Sequence, residues 1–345
     1  MPLRSVSNPP NPWASVAAEW LEEAPVALPT VYEEEAKSVI STNRSPDVGF
    51  RHSVNPYRGC WHACAYCYAR PSHQYWDLGA GTDFDRKIIV KVNAAQRLQA
   101  AFDARSWRGE PITFSGNTDC YQPLEASWRL TQRCLEVCLA YRNPVCIITK
   151  SALIRRDLDL LAQLHATAGL VVFVSIPFLD EAMCRAIEPG APTPKARLAT
   201  MRALAERGIP VGLALAPIIP ALNESQIPAI LQAAYDHGAR RAFRVLLRLP
   251  REVEPVFTER LHEAFPDRAA RVLAGLRDCR DGEVNVSAFG ARMRGTGERW
   301  RMIEQVFDLH ARRLGYTLGE DASVGHTNEP SPFRRPGPQL SLFDS

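Results

Sequence analysis

The sequence predicts an α/β fold in which parallel strands alternate with helices. Short runs rich in β-branched and apolar residues recur every 25 to 40 residues, with helical patterns between them. The clearest runs are 111–116, 143–150, 170–176, 209–216 and 242–247. Because this alternation is typical of right-handed βαβ units, we expect one parallel sheet that is covered on both faces or closed into a barrel.

Apolar residues at helical spacing support this fold between the strands. One predicted helix face is formed by Leu124, Trp128, Thr131, Leu135 and Cys138. A second is formed by Leu198, Met201, Leu204 and Ala205. We divide the chain into an N-terminal extension (1–50), a main domain (51–317) and a flexible Pro-rich tail (318–345). Within the extension, V-Y-E-E-E-A-K-S-V-I (31–40) is the one stretch that looks helical.

Composition narrows the class of protein. With 23% charged and 46% hydrophobic residues, the 345-residue chain can bury a normal core and is not disordered by composition. Its net charge of +3 says little about partners. Nine cysteines without a signal peptide favour metal chemistry over disulfides. No run approaches the ~18 apolar residues of a membrane span, so we expect a cytoplasmic protein without a membrane partner.

Polar residues follow several of the predicted strands. They are found at Ser115 to Asp119, Thr149 to Lys150, Ser175 and from Pro217 onwards. In parallel α/β folds, chemistry gathers at the C-terminal ends of the strands. We therefore expect the functional site at this end of the sheet.

Three cysteines in one short loop are the strongest chemical signal. Cys60, Cys64 and Cys67 are spaced C-x3-C-x2-C. A zinc site with His62 or His73 as the fourth ligand is one interpretation, although structural zinc sites usually pair ligands from two loops. Soft thiolates just ahead of a βα series also suit a 4Fe–4S cluster with one iron left open.

The stretch N-P-Y-R-G-C-x-H-x-C-x-Y-C-Y-A-R (55–70) resembles the signature of the radical S-adenosylmethionine (radical SAM) enzymes. More narrowly, it resembles the branch that contains spore photoproduct lyase and uncharacterised bacterial relatives. The resemblance implies a partial (β/α)6 TIM-like barrel, a 4Fe–4S cluster and SAM. It also implies an electron from a flavodoxin or ferredoxin type of partner, and a 5′-deoxyadenosyl radical that abstracts hydrogen from the substrate.

The same resemblance implies a set of SAM-binding residues. Tyr66 would border the adenine, Gly116, Thr118 and Asp119 would receive the amino group, and Lys150 would meet the carboxylate. Ser175 resembles a ribose contact, and Pro217 and Ile219 lie in a turn like the one against the adenine. Arg197, with Glu188, resembles a buried pair that orders a loop near SAM, although an exposed pair that caps a helix fits the sequence equally well. Each has a structural alternative, since strand-end Ser, Thr and Asp often cap helices and Lys150 could be solvated.

Cys120 and Tyr121 are the candidate hydrogen donors that would complete the reaction. The lyase branch returns a hydrogen atom from a cysteine thiol, and Cys120 follows a predicted strand end. It does not align with the lyase's own donor cysteine, which falls nearer Gly116. The remaining cysteines outside the loop are expected in the core.

The C-terminal stretch suggests a partner. Gln339, Leu340, Ser341, Leu342 and Phe343 resemble the pentapeptide by which bacterial polymerases and repair proteins dock on the DNA sliding clamp. Apolar anchors near the end of a Pro-rich tail suit docking into a preformed pocket. Arginine-rich stretches at 239–251 and 291–301 are compatible with phosphate contacts, but also with ion pairs or a solvated face.

These observations predict a radical SAM enzyme, lyase-like, that acts on DNA or a nucleotide lesion in DNA repair. Within the same superfamily, the substrate could instead be RNA, protein or a small molecule. From a different class, the chain could be a zinc-stabilised, non-catalytic nucleic-acid-binding protein.

Overall fold

The fold is known from a computed structural model that describes residues 29–318 and 330–336. The strands in this part of the chain are β1 (Thr30–Glu34), β2 (Ile40–Thr42), β3 (His52–Val54), β4 (Tyr57–Arg58), β5 (Lys87–Lys91), β6 (Ile112–Phe114), β7 (Val145–Thr149), β8 (Leu170–Ser175), β9 (Val211–Ile218), β10 (Arg241–Leu246) and β11 (Thr317–Leu318).

Helices fill most of the connections between these strands. The α-helices of the described residues are α1 (Thr82–Arg86), α2 (Ala94–Asp103), α3 (Glu125–Trp128), α4 (Leu130–Ala140), α5 (Leu158–Ala168), α6 (Glu181–Ile187), α7 (Pro194–Glu206), α8 (Ile227–Asp236), α9 (Val253–Ala264), α10 (Pro266–Asp278) and α11 (Glu298–Leu314). Short 3-10 segments are Arg70–Trp76, Ala152–Asp157 and Glu224–Gln226.

The main sheet confirms the predicted parallel α/β architecture. Its strand order is β11-β10-β9-β8-β7-β6-β3-β2. Every pair from β3 to β11 is parallel, and only β2 runs antiparallel, on the edge. From β6 onwards, neighbouring strands follow one another along the chain with helices between them. This open sheet, with its six main strands β3 and β6 to β10, is a partial (β/α)6 barrel.

The central strands are buried because their sequences are almost continuously apolar. All residues of β8 are buried, and in β7 and β9 each strand has one position of intermediate exposure. Side chains from both faces enter hydrophobic clusters, with Val172 and Val174 on one side and Val171 and Phe173 on the other. A strand covered on both faces has no need for the apolar–polar alternation of a half-exposed strand.

A second, three-stranded sheet corrects the prediction for the N-terminal extension. Its order is β1-β5-β4, with β1 parallel and β4 antiparallel to β5. Residues 31–40 are therefore not helical: β1 takes up their first part and β2 begins at Ile40. The glutamates favour a helix locally, but β1 pairs along its whole length with β5, and this long-range pairing decides the conformation.

The first predicted helix face is also divided in two. Arg129 adopts a left-handed conformation (φ 49°), so α3 ends at Trp128 and α4 begins at Leu130. Leu124 and Trp128 pack in a small separate cluster with Tyr57 and Val90. The helix over 194–206 agrees with prediction, and the side chain of Thr193 caps its N-terminus.

The segment 330–336 packs at the N-terminal end of the main sheet. The ring of Phe333 contacts the rings of Phe102 and Tyr141, with centroid distances of 5.8 and 6.1 Å. Arg335 donates hydrogen bonds to the carbonyls of Phe102, Ala104 and Trp107. This contact lies at the end of the sheet opposite the polar strand ends.

Among the described residues, no helix is both long enough and apolar enough to cross a membrane.

Candidate functional site

The three cysteines lie in a compact loop between β4 and the 3-10 segment Arg70–Trp76. Cys60 and Cys64 are buried, and Cys67 is partly exposed. The loop turns tightly: the N–H of Ala63 donates to the Cys60 carbonyl, and the N–H of Cys67 donates to the Cys64 carbonyl, both at 3.2 Å. Ala63 adopts a left-handed conformation, with φ 53°. These turns bring the three side chains into one region.

Two buried polar residues that the sequence analysis did not assign hold this loop in place. The guanidinium of Arg70 donates to the Cys64 carbonyl at 2.9 and 3.1 Å. Its Nη2 also donates to both carboxylate oxygens of Asp85. Gln122 accepts a hydrogen bond from the Trp61 N–H and donates one to the Gly59 carbonyl. Both side chains are fully buried, so their hydrogen bonds are made at low dielectric, where they are strong.

Asp119 connects the cysteine loop to the end of β7. Its carboxylate accepts hydrogen bonds from the Thr149 hydroxyl (2.7 Å), the Lys150 N–H (2.8 Å) and the Tyr121 N–H (2.9 Å). His62 Nδ1 lies 3.4 Å from its second oxygen. Burial alone would raise the pKa of Asp119, but His62 and these hydrogen bonds hold it well below its usual value. The carboxylate is thus largely engaged within the protein.

A buried cluster of charges surrounds Glu188, next to the cysteine loop. Arg197 donates to the Glu188 carboxylate at 2.5 Å, with both side chains fully buried, and the hydroxyl of Tyr66 donates to its other oxygen. The ammonium of Lys150 lies 3.9 Å from that oxygen and 5.7 Å from the Tyr66 ring centroid. Burial would raise the pKa of Glu188, but the charges of Arg197 and Lys150 hold it below its usual value.

This geometry decides between the two readings of the Glu188 and Arg197 pair. It is buried, not exposed, and it orders the connection between α6 and α7. Arg197 also donates to the Ser175 carbonyl (3.0 Å) and the Pro192 carbonyl (2.9 Å), so it fixes the end of β8. The Ser175 hydroxyl donates to the Ala216 carbonyl at 3.2 Å.

The turn after β9 is fixed by a residue that the sequence analysis missed. Asn223 is buried, and its amide donates to the carbonyls of Pro177 and Pro217 at 2.8 and 3.0 Å. Its oxygen accepts from the Ile219 N–H at 2.6 Å. The bond between Ala216 and Pro217 is cis. Pro217 and Ile219 therefore stand at the same sheet end as Lys150 and Ser175.

Gly116 and Thr118 are in close internal contacts. A side chain at position 116 would come within 2.6 Å of the Ser53 Cβ, so only glycine fits there. The Gly116 carbonyl accepts from the Tyr68 hydroxyl at 2.7 Å. The Thr118 hydroxyl donates to the Tyr57 carbonyl at 2.9 Å.

Cys120 and Tyr121 lie in the hydrophobic core, fully buried. The Tyr121 hydroxyl donates to Asp157 at 3.1 Å. Burial raises the pKa of both the Cys120 thiol and the Tyr121 hydroxyl, so both groups stay protonated at neutral pH. Their role as hydrogen donors stays a prediction.

The C-terminal pentapeptide and the arginine-rich stretches are not part of this site as the structure describes it. The pentapeptide 339–343 lies outside the described residues. In the arginine-rich stretches, Arg244 pairs with Glu304 and Asp308, and Arg292 pairs with Asp47. Ion pairing within the protein therefore accounts for these two arginines.

The donor set fits a cluster better than one metal ion. Among the described residues, no three His, Cys, Asp or Glu side chains are arranged to hold a single ion, as a zinc site requires. His62 faces Asp119, and His73 Nε2 contacts the Lys87 carbonyl at 2.8 Å. Three soft thiolates from one short loop suit an iron–sulfur cluster, which Cys60, Cys64 and Cys67 would hold.

Comparison with known proteins assigns the family. The model of the radical SAM superfamily matches residues 54–234, about half of the chain. The protein belongs to this superfamily, whose members use a 4Fe–4S cluster and SAM. The matched segment begins at the end of β3 and includes the cysteine loop, Glu188 and Pro217.

Relatives with known sequences are themselves uncharacterised. A protein of Mycobacterium tuberculosis is 40% identical over 199 residues, which are 57% of this chain and 58% of the relative. A protein of Methanocaldococcus jannaschii is 30% identical over 187 residues, which are 54% of this chain and 67% of the relative. The match therefore spans little more than half of the mycobacterial protein's length.

Among solved structures, spore photoproduct lyase complexed with dinucleoside spore photoproduct has a similar fold. The TM-score is 0.61 at 15% sequence identity, covering 84% of this chain and 81% of the lyase chain. At this identity the likeness establishes the fold alone. It confirms the partial barrel expected from the sequence.

Proposed function

We propose that this radical SAM enzyme acts on DNA or on a nucleotide lesion, in a lyase-like reaction of DNA repair. The observation that carries the catalytic part is the cysteine loop, which lies beside the Glu188 charge cluster at the C-terminal end of the sheet. Soft ligands, buried charges and a partial barrel mouth stand together there. This is the arrangement expected for a cofactor that must react out of contact with water.

The thiolates of Cys60, Cys64 and Cys67 would hold the cluster, which leaves one iron without a protein ligand. When bound, the cluster supplies the electron that cleaves SAM, after receiving it from a flavodoxin or ferredoxin type of reductant. The protein's own part is to position and shield. Arg70 and Gln122 hold the loop backbone, so the thiolates are oriented before the cluster is inserted.

We assign the SAM contacts to groups that can still contact a ligand. The Lys150 side chain is partly exposed, so we assign its ammonium to the SAM carboxylate. The Tyr66 ring and the Pro217 to Ile219 turn offer apolar surface to the adenine, and Ser175 stands at the strand end between them. Thr118 and Asp119 donate to or accept from protein groups already, so we assign them to positioning this end of the sheet.

Three observations support DNA as the substrate class. The motif around the cysteines resembles the spore photoproduct lyase branch, the fold is shared with that lyase, and the tail carries the pentapeptide 339–343. A sliding clamp would hold the enzyme on DNA and raise the local concentration of substrate.

The catalytic part is tested by incubating anaerobic, iron-loaded protein with SAM and dithionite and measuring 5′-deoxyadenosine by mass spectrometry. We expect 5′-deoxyadenosine from the wild type and none from Cys64→Ala. Cys146→Ala is the matched control, because Cys146 is equally buried but lies in β7, in a separate apolar cluster with Phe173. An iron-loaded wild type that forms no 5′-deoxyadenosine would refute the proposal.

The partner is tested separately by gel filtration with a bacterial sliding clamp. We expect the wild type to co-elute with the clamp and the double variant Leu342→Ala, Phe343→Ala to elute alone. Arg334→Ala lies in the segment 330–336, just upstream of the pentapeptide, and should co-elute like the wild type. If the double variant co-eluted with the clamp as well as the wild type does, the pentapeptide would not be the clamp-binding segment.

A further inference from the structure

We propose that a polar cavity between the two sheets binds a phosphate group of the nucleic-acid substrate. The cavity has a volume of about 250 Å³ and is lined mainly by Ser41, Ser53, Asn55, Arg58, Lys91 and Asn117. It lies outside the cysteine loop and the Glu188 cluster, and of the cofactor contacts implied by the resemblance Gly116 is the one that lines it. The inference rests on the proposed function, whose substrate class it specifies.

Lys91 is the first reason. Only 5% of the residue is exposed, and its ammonium donates one hydrogen bond, to the Asn55 carbonyl at 2.8 Å. Among the described residues, no carboxylate lies within ion-pair distance of this ammonium. A lysine has three N–H donors, and buried charges are normally paired. A buried cation without a carboxylate at the wall of a cavity indicates a site for an anion.

The other residues that line the cavity are positively charged or neutral. Arg58 contributes a second cation, oriented by Glu34 at 3.0 Å and by the ring of Trp76 at 5.0 Å. None of the residues that line the cavity is acidic. Ser41, Ser53 and Asn117 add neutral groups that can donate hydrogen bonds. Clustered donors around one cation suit a phosphate, which accepts several charge-assisted hydrogen bonds at once.

The state of Lys91 is consistent with this assignment. Burial, with a smaller contribution from Arg58, lowers the pKa of Lys91 to about 8, while Glu34 opposes this shift. The ammonium is therefore destabilised when the cavity contains only water. A bound phosphate would restore the charge balance. The volume corresponds to about eight water molecules, enough for a phosphate and part of a sugar.

The position connects the cavity to the reaction. Gly116 and Asn117 form one wall of the cavity. The same residues belong to the segment after β6 that leads to Asp119, which contacts His62 of the cysteine loop at 3.4 Å. The Asn117 N–H also donates to the Asn55 side chain at 2.8 Å, which ties both walls together. A backbone phosphate held here would place the adjoining nucleoside at the C-terminal end of the sheet.

Calorimetric titration of the 345-residue chain tests the site. The probes are a deoxydinucleotide, its uncharged methylphosphonate analogue and inorganic phosphate. We expect the wild type to bind the dinucleotide at least tenfold more tightly than the methylphosphonate, and Lys91→Met to reduce this preference below twofold. Lys87→Met should keep the preference, because Lys87 lies in the same strand but is partly exposed and pairs with Asp83.

Ser41→Asp serves as a second variant if Lys91→Met does not fold. Ser41 lies at the exposed rim, and a carboxylate there should repel phosphate and weaken dinucleotide binding by a similar factor. The inference would be overturned if the wild type bound the deoxydinucleotide and its methylphosphonate analogue with equal affinity. It would also be overturned if the wild type bound inorganic phosphate but not the deoxydinucleotide. Measuring 5′-deoxyadenosine on the same preparations separates this result from failure of the proposed function.

Discussion

Two lysines near the C-terminal end of the sheet, Lys150 partly exposed and Lys91 buried, have very different electrostatic surroundings. Lys150 lies 3.9 Å from Glu188, inside a cluster where Arg197 and Tyr66 also contact the carboxylate. Lys91, more deeply buried, has a backbone carbonyl as its hydrogen-bond partner and no carboxylate of the described residues within ion-pair distance. Burying a charge costs several kcal/mol unless it is paired.

The difference separates a site that is complete from one that lacks a component. Around Glu188 the protein supplies both signs of charge, so the geometry can be set before the cofactors bind. Near Lys91 the carboxylate of Glu34 pairs with Arg58, so the Lys91 ammonium has no ion-pair partner of its own among the described residues and needs an anion from solution. A substrate phosphate would meet this requirement. The predictions below break or sharpen this contrast, starting with the largest effect.

Glu188→Gln should have the largest effect on stability. Removing this carboxylate leaves Arg197 buried without an anion and Lys150 without its nearest one, which should lower the free energy of unfolding by about 3–5 kcal/mol. Urea unfolding followed by circular dichroism measures this change. Glu181→Gln is the control, because Glu181 forms an exposed pair with Arg185 and should contribute less than about 0.5 kcal/mol. Similar losses in both variants would contradict a special role for the buried cluster.

Lys91→Met should change how stability depends on pH. The unfolded chain keeps the Lys91 proton up to about pH 10.5, whereas the folded protein releases it above about pH 8. The unfolded state therefore binds more protons between these values, and this lysine makes stability rise with pH across that window. Below pH 8, its burial lowers the free energy of unfolding by up to about 3 kcal/mol.

The measurement is the free energy of unfolding of both proteins from pH 7 to 10.5 in phosphate-free buffer. We expect Lys91→Met to be more stable at pH 7 and the two curves to converge as pH rises. The charged or titratable groups that act on Lys91 are Arg58, Glu34 and Cys134. Both proteins contain them, so their own titration contributes about equally to the two curves. Parallel curves would mean that Lys91 carries no unfavourable charge.

Phe333→Ala extends the comparison to a region held by aromatic contacts, and its effect should be the smallest. Phe333 is half-buried against Phe102 and Tyr141, so its loss should cost about 1–2 kcal/mol. Formation of 5′-deoxyadenosine should not change, because this contact lies at the opposite end of the sheet. Thermal unfolding and the activity assay check both, with the exposed Arg334→Ala as control. A loss of activity at full stability would show that the two ends are coupled.

The main sheet could be predicted because its strands are buried on both faces. The runs at 143–150, 170–176 and 209–216 match β7, β8 and β9. Short, continuous apolar runs between helical patterns are typical of parallel strands that are covered on both faces. The small sheet could not be predicted in the same way. β1 carries three exposed residues, Thr30, Tyr32 and Glu33, and its pairing with β5, more than fifty residues away, makes it a strand.

At the site, residue types could be predicted better than their roles. The cysteine spacing and the strand-end residues Lys150, Ser175 and Pro217 were visible in the sequence because they sit at fixed positions in a motif or strand. Arg70, Gln122 and Asn223 were not assigned, since a polar residue in a loop gives no sign of whether it is buried. Lys91 was equally invisible, because a lysine at the end of a short strand is usually exposed.

The central claim is that three thiolates hold a cluster whose fourth iron is free to bind SAM. Mössbauer spectroscopy of protein reconstituted with ⁵⁷Fe, recorded with and without SAM, tests it most directly. The account predicts a 4Fe–4S spectrum in which one iron site changes its parameters when SAM is added. Four equivalent iron sites that SAM leaves unchanged would contradict it, as would protein that binds no cluster at all.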